Sequence, residues 1–503
     1  MSATNATSRV SGDEATDPPS AVGLSVRDEP TDRRITDVVA VRLRRLREKA
    51  ANAQRKPEPV AAPRGPETAA PVEFAPPPAD DVRPSPVAVL NGARHLDDDH
   101  GVVGGPSGVG ELDAMLRQFA EDRQVHIGFP GAMDFDYGEL MPFFGYLLNN
   151  VGDPEISSMY RSHTKHLERE VVAFFADLFR APADDRWGYV TTGGTESNLY
   201  ALYLARSRFP DAPVYCSEAT HYSIHKAADL LALRLVTIRS TDRGEMDYDE
   251  LGRSLAANRD VPAIVVANIG TTMTEAVDDV GRIRSVLHEQ RIRRHHVHSD
   301  AALSGVPLAL LDSRPRFDLA DGADSITISG HKFVGAPFPC GVVVTRRSLK
   351  ESLGRPISYT GSPDTTISGS RSGHAPLMLW YAINRFGLGG FRRRADQARE
   401  LAAYTTRRLA EVGWEAWRNP HALTVVLKTP SAQLARRWML ATGDDGWSHI
   451  ICMPGVTSDH IDRFVAELAA AEGLPPPATS GPWRTPPSSV VPRQRTRGRR
   501  GAA

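Results

Sequence analysis

The spacing of apolar and polar positions changes several times along the chain. Short apolar or β-branched runs bounded by turn residues recur through its middle. They are "WGYVTT", "PVYCS", "LRLVTI", "AIVVANI", "HHVHSD", "SITIS" and "GVVVT". Such runs predict strands. Several intervening segments, including "TESNLYALYLARSRF" and "DVGRIRSVLHEQ", place their apolar residues at helical spacing. Strands alternating with helices predict an α/β domain built on a mainly parallel sheet. From about residue 376 the pattern shifts. There a helix-rich stretch, "RRADQARELAAYTTRRLAEVG", leads into "ALTVVLKT", "ARRWMLAT" and "DHIDRFVAELAAAE". These predict a smaller α+β domain.

Composition separates the two ends from this body. Residues 1–85 are rich in Pro, Ala, Asp, Arg and Ser and poor in aromatics, which predicts a disordered tail. Within it "TDVVAVRLRRLREKAANAQR" (36–55) predicts a short helix, with Thr36 as N-cap and Val39, Leu43 and Leu46 on one face. Residues 474–503 form a second tail, basic at its end. The chain is 503 residues long, enough for two or three domains, and its formal net charge is -1. That balance gives no reason to expect nucleic acid as a partner. Cys216, Cys340 and Cys452 match no metal-ligand spacing and suit a reduced, cytoplasmic setting. No apolar run approaches the roughly 18 residues of a membrane span, and the N-terminus lacks a basic-then-apolar signal pattern.

Candidate chemistry gathers where strands end. Lys332 lies between "SITIS" and "CGVVVT", in "SGHKFVGAPFPC". It reads either as a surface lysine in a turn or as a buried amine with a chemical task, since burial strips an ammonium ion of hydration. In "YVTTGGTESNLYALYLAR" a strand runs through Gly193 and Gly194 into a helix opened by Thr195. Free N–H groups there favour an anion such as phosphate, although a plain strand–helix turn reads the same way. Asp300 ends the strand of "HHVHSDAALSG" and suits either a cationic nitrogen or a helix N-cap. His221 follows "PVYCS", and Asn268 closes "AIVVANI". In open α/β sheets ligands sit at the carboxyl ends of strands. One cofactor uses an anion-binding turn, a flat side chain, a carboxylate and a lysine together. Pyridoxal phosphate has a phosphate, an aromatic ring, a pyridine nitrogen that must stay protonated and an aldehyde that condenses with lysine.

With these motifs in hand the sequence resembles the group II pyridoxal-phosphate-dependent amino-acid decarboxylases. It is most similar to bacterial histidine decarboxylases and plant-type serine decarboxylases. The resemblance runs from "HIGFPGAMDFDYGEL" through "NNVGDPE", "WGYVTTGGTESN", "THYSIHKAADLL", "NIGTTMTEAVDD", "HSDAALSG", "SGHKFVGAPFPCGVVV", "DTTISGSRSGHAPLMLWYAI" and "WRNPHALTVVL". It covers about residues 110–470. It implies the fold-type I architecture, with a large domain (151–370) on a seven-stranded mainly parallel sheet and a small C-terminal α+β domain (371–473). It further implies a homodimer with active sites at the interface, residues 86–150 packing on the partner. Carried over by position, Lys332 is the Schiff-base lysine and Asp300 the pyridinium partner. His221 stacks on the cofactor ring and Ala302 lies under its other face. Gly194, Thr195, Ser329 and His331 bind the phosphate, and Asn268 contacts the ring-hydroxyl side. Tyr359, in "PISYTGSPDTTISGSRSG", matches the mobile-loop tyrosine that returns a proton to the substrate, with His221 as the fallback. The implied reaction releases carbon dioxide and a primary amine from an L-amino acid.

The chain departs from that pattern near its N-terminal motif. The family usually has "IGYPYNLDFDY", whereas here Phe129, Gly131, Ala132 and Met133 replace tyrosine, tyrosine, asparagine and leucine. Three polar side chains are lost from the expected substrate pocket. A pocket built to hydrogen-bond discriminates through such groups. A small aliphatic substrate such as valine or leucine, or serine, therefore stands as the alternative to histidine. Ser197 replaces the usual glycine after the glycine pair. "HSDAAL" and "WRNPHALTVV" lean towards the histidine type.

Overall fold

The computed structural model describes residues 107–478, apart from Phe135 and Ser352. The N-terminal tail with its helix at 36–55, and the C-terminal tail beyond 478, lie outside the described residues. All seven strand runs of the body are strands. They are β1 (Trp187–Thr191), β2 (Val214–Ser217), β3 (Leu235–Ile238), β4 (Ala263–Asn268), β5 (His295–Asp300), β6 (Ser325–Ser329) and β7 (Gly341–Thr345). They form one sheet in the order β1-β7-β6-β5-β4-β2-β3. β7 pairs antiparallel with both β1 and β6, and the remaining pairs are parallel. β1 therefore runs the same way as β2 to β6. The carboxyl ends of all strands but β7 meet at one edge.

The fold-type I expectation of a seven-stranded, mainly parallel sheet is met. The physical reason is visible in β1, β4, β6 and β7, which are buried at every position. A strand covered on both faces needs continuous apolar or small residues rather than alternation. At the start of β7, Gly341 pairs with Thr191 on one side and Ser329 on the other. A Cβ there would lie 2.7 Å from Thr191 Oγ1 and 2.9 Å from the backbone of Gly193. Only glycine lets the ends of β1 and β6 close in on each other at this edge.

Helices of nine residues or more flank and connect the strands. They are α1 (Ser107–Asp122), α2 (Lys165–Leu178), α3 (Gly194–Arg208), α4 (Tyr222–Leu230), α5 (Tyr248–Ala256), α6 (Val280–Glu289), α7 (His374–Glu411) and α8 (Ser458–Glu472). Side-chain caps fix several starts: Asp247 accepts from Glu250 N–H, and Asp279 from Arg282 N–H. α7 contains one break, at Gly387 (φ +58°), a left-handed value that glycine adopts without penalty. Beyond α7 a four-stranded antiparallel sheet has the order β10-β11-β9-β8. Its strands are β8 (Ala416–Trp417), β9 (Thr424–Lys428), β10 (Ala441–Thr442) and β11 (Trp447–Ile451). One apolar core is continuous from Val265, Val297 and Ile326 of the large sheet to Val425, Ile450 and Phe464 beside the small one. Each such fully buried side chain contributes roughly 1.5–3 kcal/mol.

Candidate active site

A cavity of about 500 Å³ opens at the shared carboxyl edge of the large sheet. Its floor follows from local sequence. β6 ends at Ser329, and Gly330–Val334 form a wide turn closed by Gly335 N–H donating to Gly330 C=O at 2.9 Å. The turn carries His331 and Lys332 onto the cavity wall. Lys332 is partly buried. Burial holds its ammonium pKa below the ordinary lysine value, against the opposing charges of Asp300 and Glu275. No hydrogen bond of its amine is found among the described residues. His331 Nδ1 lies 3.0 Å from Cys340 O and 3.3 Å from Cys340 N, and burial lowers the pKa of this ring as well.

The other expected residues arrive from neighbouring strand ends. Gly194 and Thr195 open α3 directly after β1 and line the cavity. A Cβ on Gly194 would lie 2.8 Å from Ser329 Oγ and 3.6 Å from Ala302 Cβ, so the cradle between these three residues needs glycine. His221 caps α4 and faces the same space, its pKa lowered chiefly by burial with Asp300 opposing. Asp300 is buried at the end of β5, where one oxygen accepts from Asn198 Nδ2 at 2.7 Å and the other from Ala302 N–H at 3.2 Å. Asn268, at the end of β4, donates from Nδ2 to Ser217 Oγ (3.0 Å) and to Asp278 Oδ2 (2.9 Å). Ser329 and Ala302 complete this wall.

Three of the four N-terminal pocket residues lie elsewhere. Phe129 lines the cavity, but Gly131, Ala132 and Met133 do not. Ala132 N–H donates to Lys332 C=O (3.2 Å) and Met133 N–H to Pro454 C=O (2.8 Å), which fastens this stretch to the backbone of the lysine turn. Tyr359 also stands apart from its own chain's cavity, in the short turn Ser358–Thr360, 85% exposed. Ser197 is fully buried and hydrogen-bonds Thr191 Oγ1 at 2.7 Å, on the strand side of α3.

The structure adds residues that sequence reasoning missed. Asn198, Ser223, Leu303, Ala441, His449 and Ile451 line the cavity. Asn198 lies one helical turn beyond Gly194, a spacing that could have flagged it. Ala441, His449 and Ile451 come from the small sheet, and no local pattern marks them. The His449 ring nitrogens lie 3.1 Å from Gly128 O and 3.3 Å from Met273 O, joining small sheet, N-terminal segment and large-sheet loop. Glu275 clasps the same junction. It adopts φ +52°, costly for a residue with a Cβ, and accepts from Ser304 Oγ (2.8 Å) and Thr424 N–H (2.7 Å).

This donor set fits pyridoxal phosphate. A helix N-terminus and a glycine cradle suit a phosphate, a carboxylate suits a pyridinium nitrogen, and a partly buried lysine without a hydrogen-bond partner suits the aldehyde. Comparison with known proteins points the same way. Residues 146–426 match the pyridoxal-dependent decarboxylase conserved domain. The chain is 47% identical to a histidine decarboxylase of Mesorhizobium japonicum over 359 residues, 71% of this chain and 97% of that protein. It is 38% identical to the histidine decarboxylase of Pseudomonas entomophila, over 73% of this chain and 95% of that one. Its fold matches L-methionine decarboxylase from Streptomyces sp. 590 with a TM-score of 0.68 and 27% identity, over 76% of this chain and 99% of that one. The chain belongs to the pyridoxal-dependent decarboxylase family, and it is a pyridoxal-phosphate-dependent, histidine-decarboxylase-like amino-acid decarboxylase.

Proposed function

We propose that the enzyme decarboxylates L-histidine to histamine, with Lys332, Asp300 and His221 as its central residues. The observation that carries this is their convergence on one cavity in a chain nearly half identical to a histidine decarboxylase. Bound pyridoxal phosphate supplies an electron sink for the pair left when the Cα–carboxylate bond breaks. The protein does the rest. Lys332 offers an amine whose lowered pKa favours the neutral, nucleophilic form. Asp300 would keep a positive ring nitrogen charged. Gly194, Thr195, Ser329 and His331 would hold the phosphate, and His221, Ala302 and Asn268 would contact the ring. Tyr359 returns the proton to Cα, with His221 as the alternative donor.

A tyrosine 85% exposed on its own chain is free to meet the cavity of another copy. A homodimer with interfacial active sites would bring the two together. Among the described residues no helix is long and apolar enough to cross a membrane.

A second reading remains in play for the side chain of the substrate. Phe129, Leu303, Ala441 and Ile451 give part of the cavity an apolar lining that an aliphatic side chain would fill. Carbon dioxide release from a panel of L-amino acids separates the two. Turnover of histidine, with valine, leucine, methionine and serine inert, is the expected result. Preference for an aliphatic acid overturns the histidine assignment. Failure to bind pyridoxal phosphate overturns the site roles.

A further inference from the structure

We infer that Asn198 is a positioning residue that fixes the proton positions of Asp300 and His221 together, through a hydrogen-bonded chain anchored by His298 and Ser325. The inference rests on the cofactor reading of the cavity, and it is independent of which amino acid is the substrate.

The chain can be followed atom by atom. Asn198 is 1% exposed, one turn into α3. Its Nδ2 lies 2.7 Å from Asp300 Oδ2 and 2.9 Å from Ser223 Oγ, and its Oδ1 lies 3.0 Å from His298 Nε2. His298 Nδ1 lies 2.9 Å from Ser325 Oγ, which is also 2.9 Å from His296 Nε2. On the other branch Ser223 Oγ lies 2.8 Å from His221 Nδ1. Asn198, Ser223, His296, His298 and Ser325 are at most 1% exposed, so this network is out of reach of bulk water.

Each direction in the chain follows from its neighbour. A carboxylate only accepts, so the Asn198 amide must turn its NH₂ to Asp300 and its oxygen to His298. His298 then carries its proton on Nε2 and accepts from the Ser325 hydroxyl at Nδ1. Ser325 in turn accepts from His296 Nε2–H. Both histidines stay neutral because full burial lowers their pKa values to about 4. The second Asn198 N–H goes to Ser223 Oγ, whose own hydrogen goes to His221 Nδ1. The Ser223 backbone N–H, which can only donate, also points at His221 Nδ1, at 3.3 Å. Two donors on Nδ1 leave the single imidazole proton of His221 on Nε2. Asn198 thus links an accepting Asp300 to a Ser223 hydroxyl that turns its hydrogen towards His221 Nδ1, which favours a His221 presenting its N–H at Nε2.

The test reads both ends. Isotope-labelled histidine, with His221 assigned through His221→Gln, shows the protonated ring nitrogen by NMR in the cofactor-free and cofactor-bound protein. Nε2–H is expected in both. In Asn198→Leu the His221 tautomers should mix, and the dissociation constant for pyridoxal phosphate should rise about ten- to a hundredfold as Asp300 loses a charge-assisted bond. His298→Gln keeps a donor to Asn198 Oδ1 and should retain both properties, whereas His298→Phe should not. If Asn198→Leu fails to fold, Ser223→Ala reads the His221 branch alone, with mixed tautomers and cofactor affinity changed less than threefold. A wild-type His221 protonated on Nδ1, or unchanged tautomer and affinity in Asn198→Leu, overturns the inference. A wild-type chain that binds no pyridoxal phosphate fails the function reading instead.

Discussion

At Lys332 two effects oppose each other on one amine. Burial removes solvation from the ammonium form, while the carboxylates of Asp300 and Glu275 favour it, and burial wins. Replacing Lys332 by Ala should abolish the visible absorption of bound cofactor and cut turnover about a thousandfold or more, measured by spectroscopy and carbon dioxide release. The buried histidines give a pH signature of their own. His296 and His298 have pKa values of about 4 when folded, against 6.5 for an ordinary histidine. Between those values the unfolded chain binds protons that the folded one refuses, so stability rises with pH across the window and is lost as pH falls from 6.5 towards 4. The pair should contribute a slope of up to about 2.7 kcal/mol per pH unit. Urea unfolding followed across this range checks it, and a slope unchanged in His296→Asn would count against that histidine. At this scale the sequence placed Lys332, Asp300 and His221 at strand ends, where the cavity opens, and the family resemblance, not the strand ends, supplied their expected roles. Asn198 was not legible there, because its partners His298 and Ser325 lie on other strands.

Among the elements, α3 shows how local chemistry becomes a site. Its first turn lines the cavity, and a Cβ on residue 194 would lie 2.8 Å from Ser329 Oγ and press on the cradle between them. Gly194→Ala should weaken pyridoxal phosphate binding about tenfold while leaving the fold intact, read by cofactor titration and circular dichroism. The strand–glycine–helix pattern made this element readable in advance. Of the expected pocket residues Phe129, Gly131, Ala132 and Met133, Phe129 lines the cavity, and Ala132 and Met133 are tied by backbone bonds to Lys332 and Pro454, distant partners that the motif itself does not reveal. Glu275 is a similar case. Its left-handed backbone and its bonds to Ser304 and Thr424 join large and small sheets, and nothing in "TTMTEAVDD" reveals the distant partner.

For the whole molecule, one exposed surface stands out. On α1, Leu112, Met115, Leu116 and Phe119 recur at helical spacing and are 44–66% exposed. Met141, Phe143, Phe144, Tyr146 and Leu147 are also exposed in the segment that follows. Apolar exposure on this scale marks an association surface, and the proposed dimer would cover it. The double variant Leu116→Glu/Phe119→Glu should sediment as a monomer and lose activity, with Tyr359 left facing solvent. A variant that stays dimeric would place the interface elsewhere.

The sequence by itself determined the seven strands, the mainly parallel sheet and the family. These depend on local periodicity and on short motifs, where neighbours in the chain are neighbours in space. Only the tertiary structure decided which of the pocket residues face the cavity, what the small sheet contributes through Ala441, His449 and Ile451, and how Asn198 links Asp300 to His221. Those features join segments far apart along the chain. Their geometry is set by packing and by the need to satisfy every buried polar group, which no single stretch of sequence expresses.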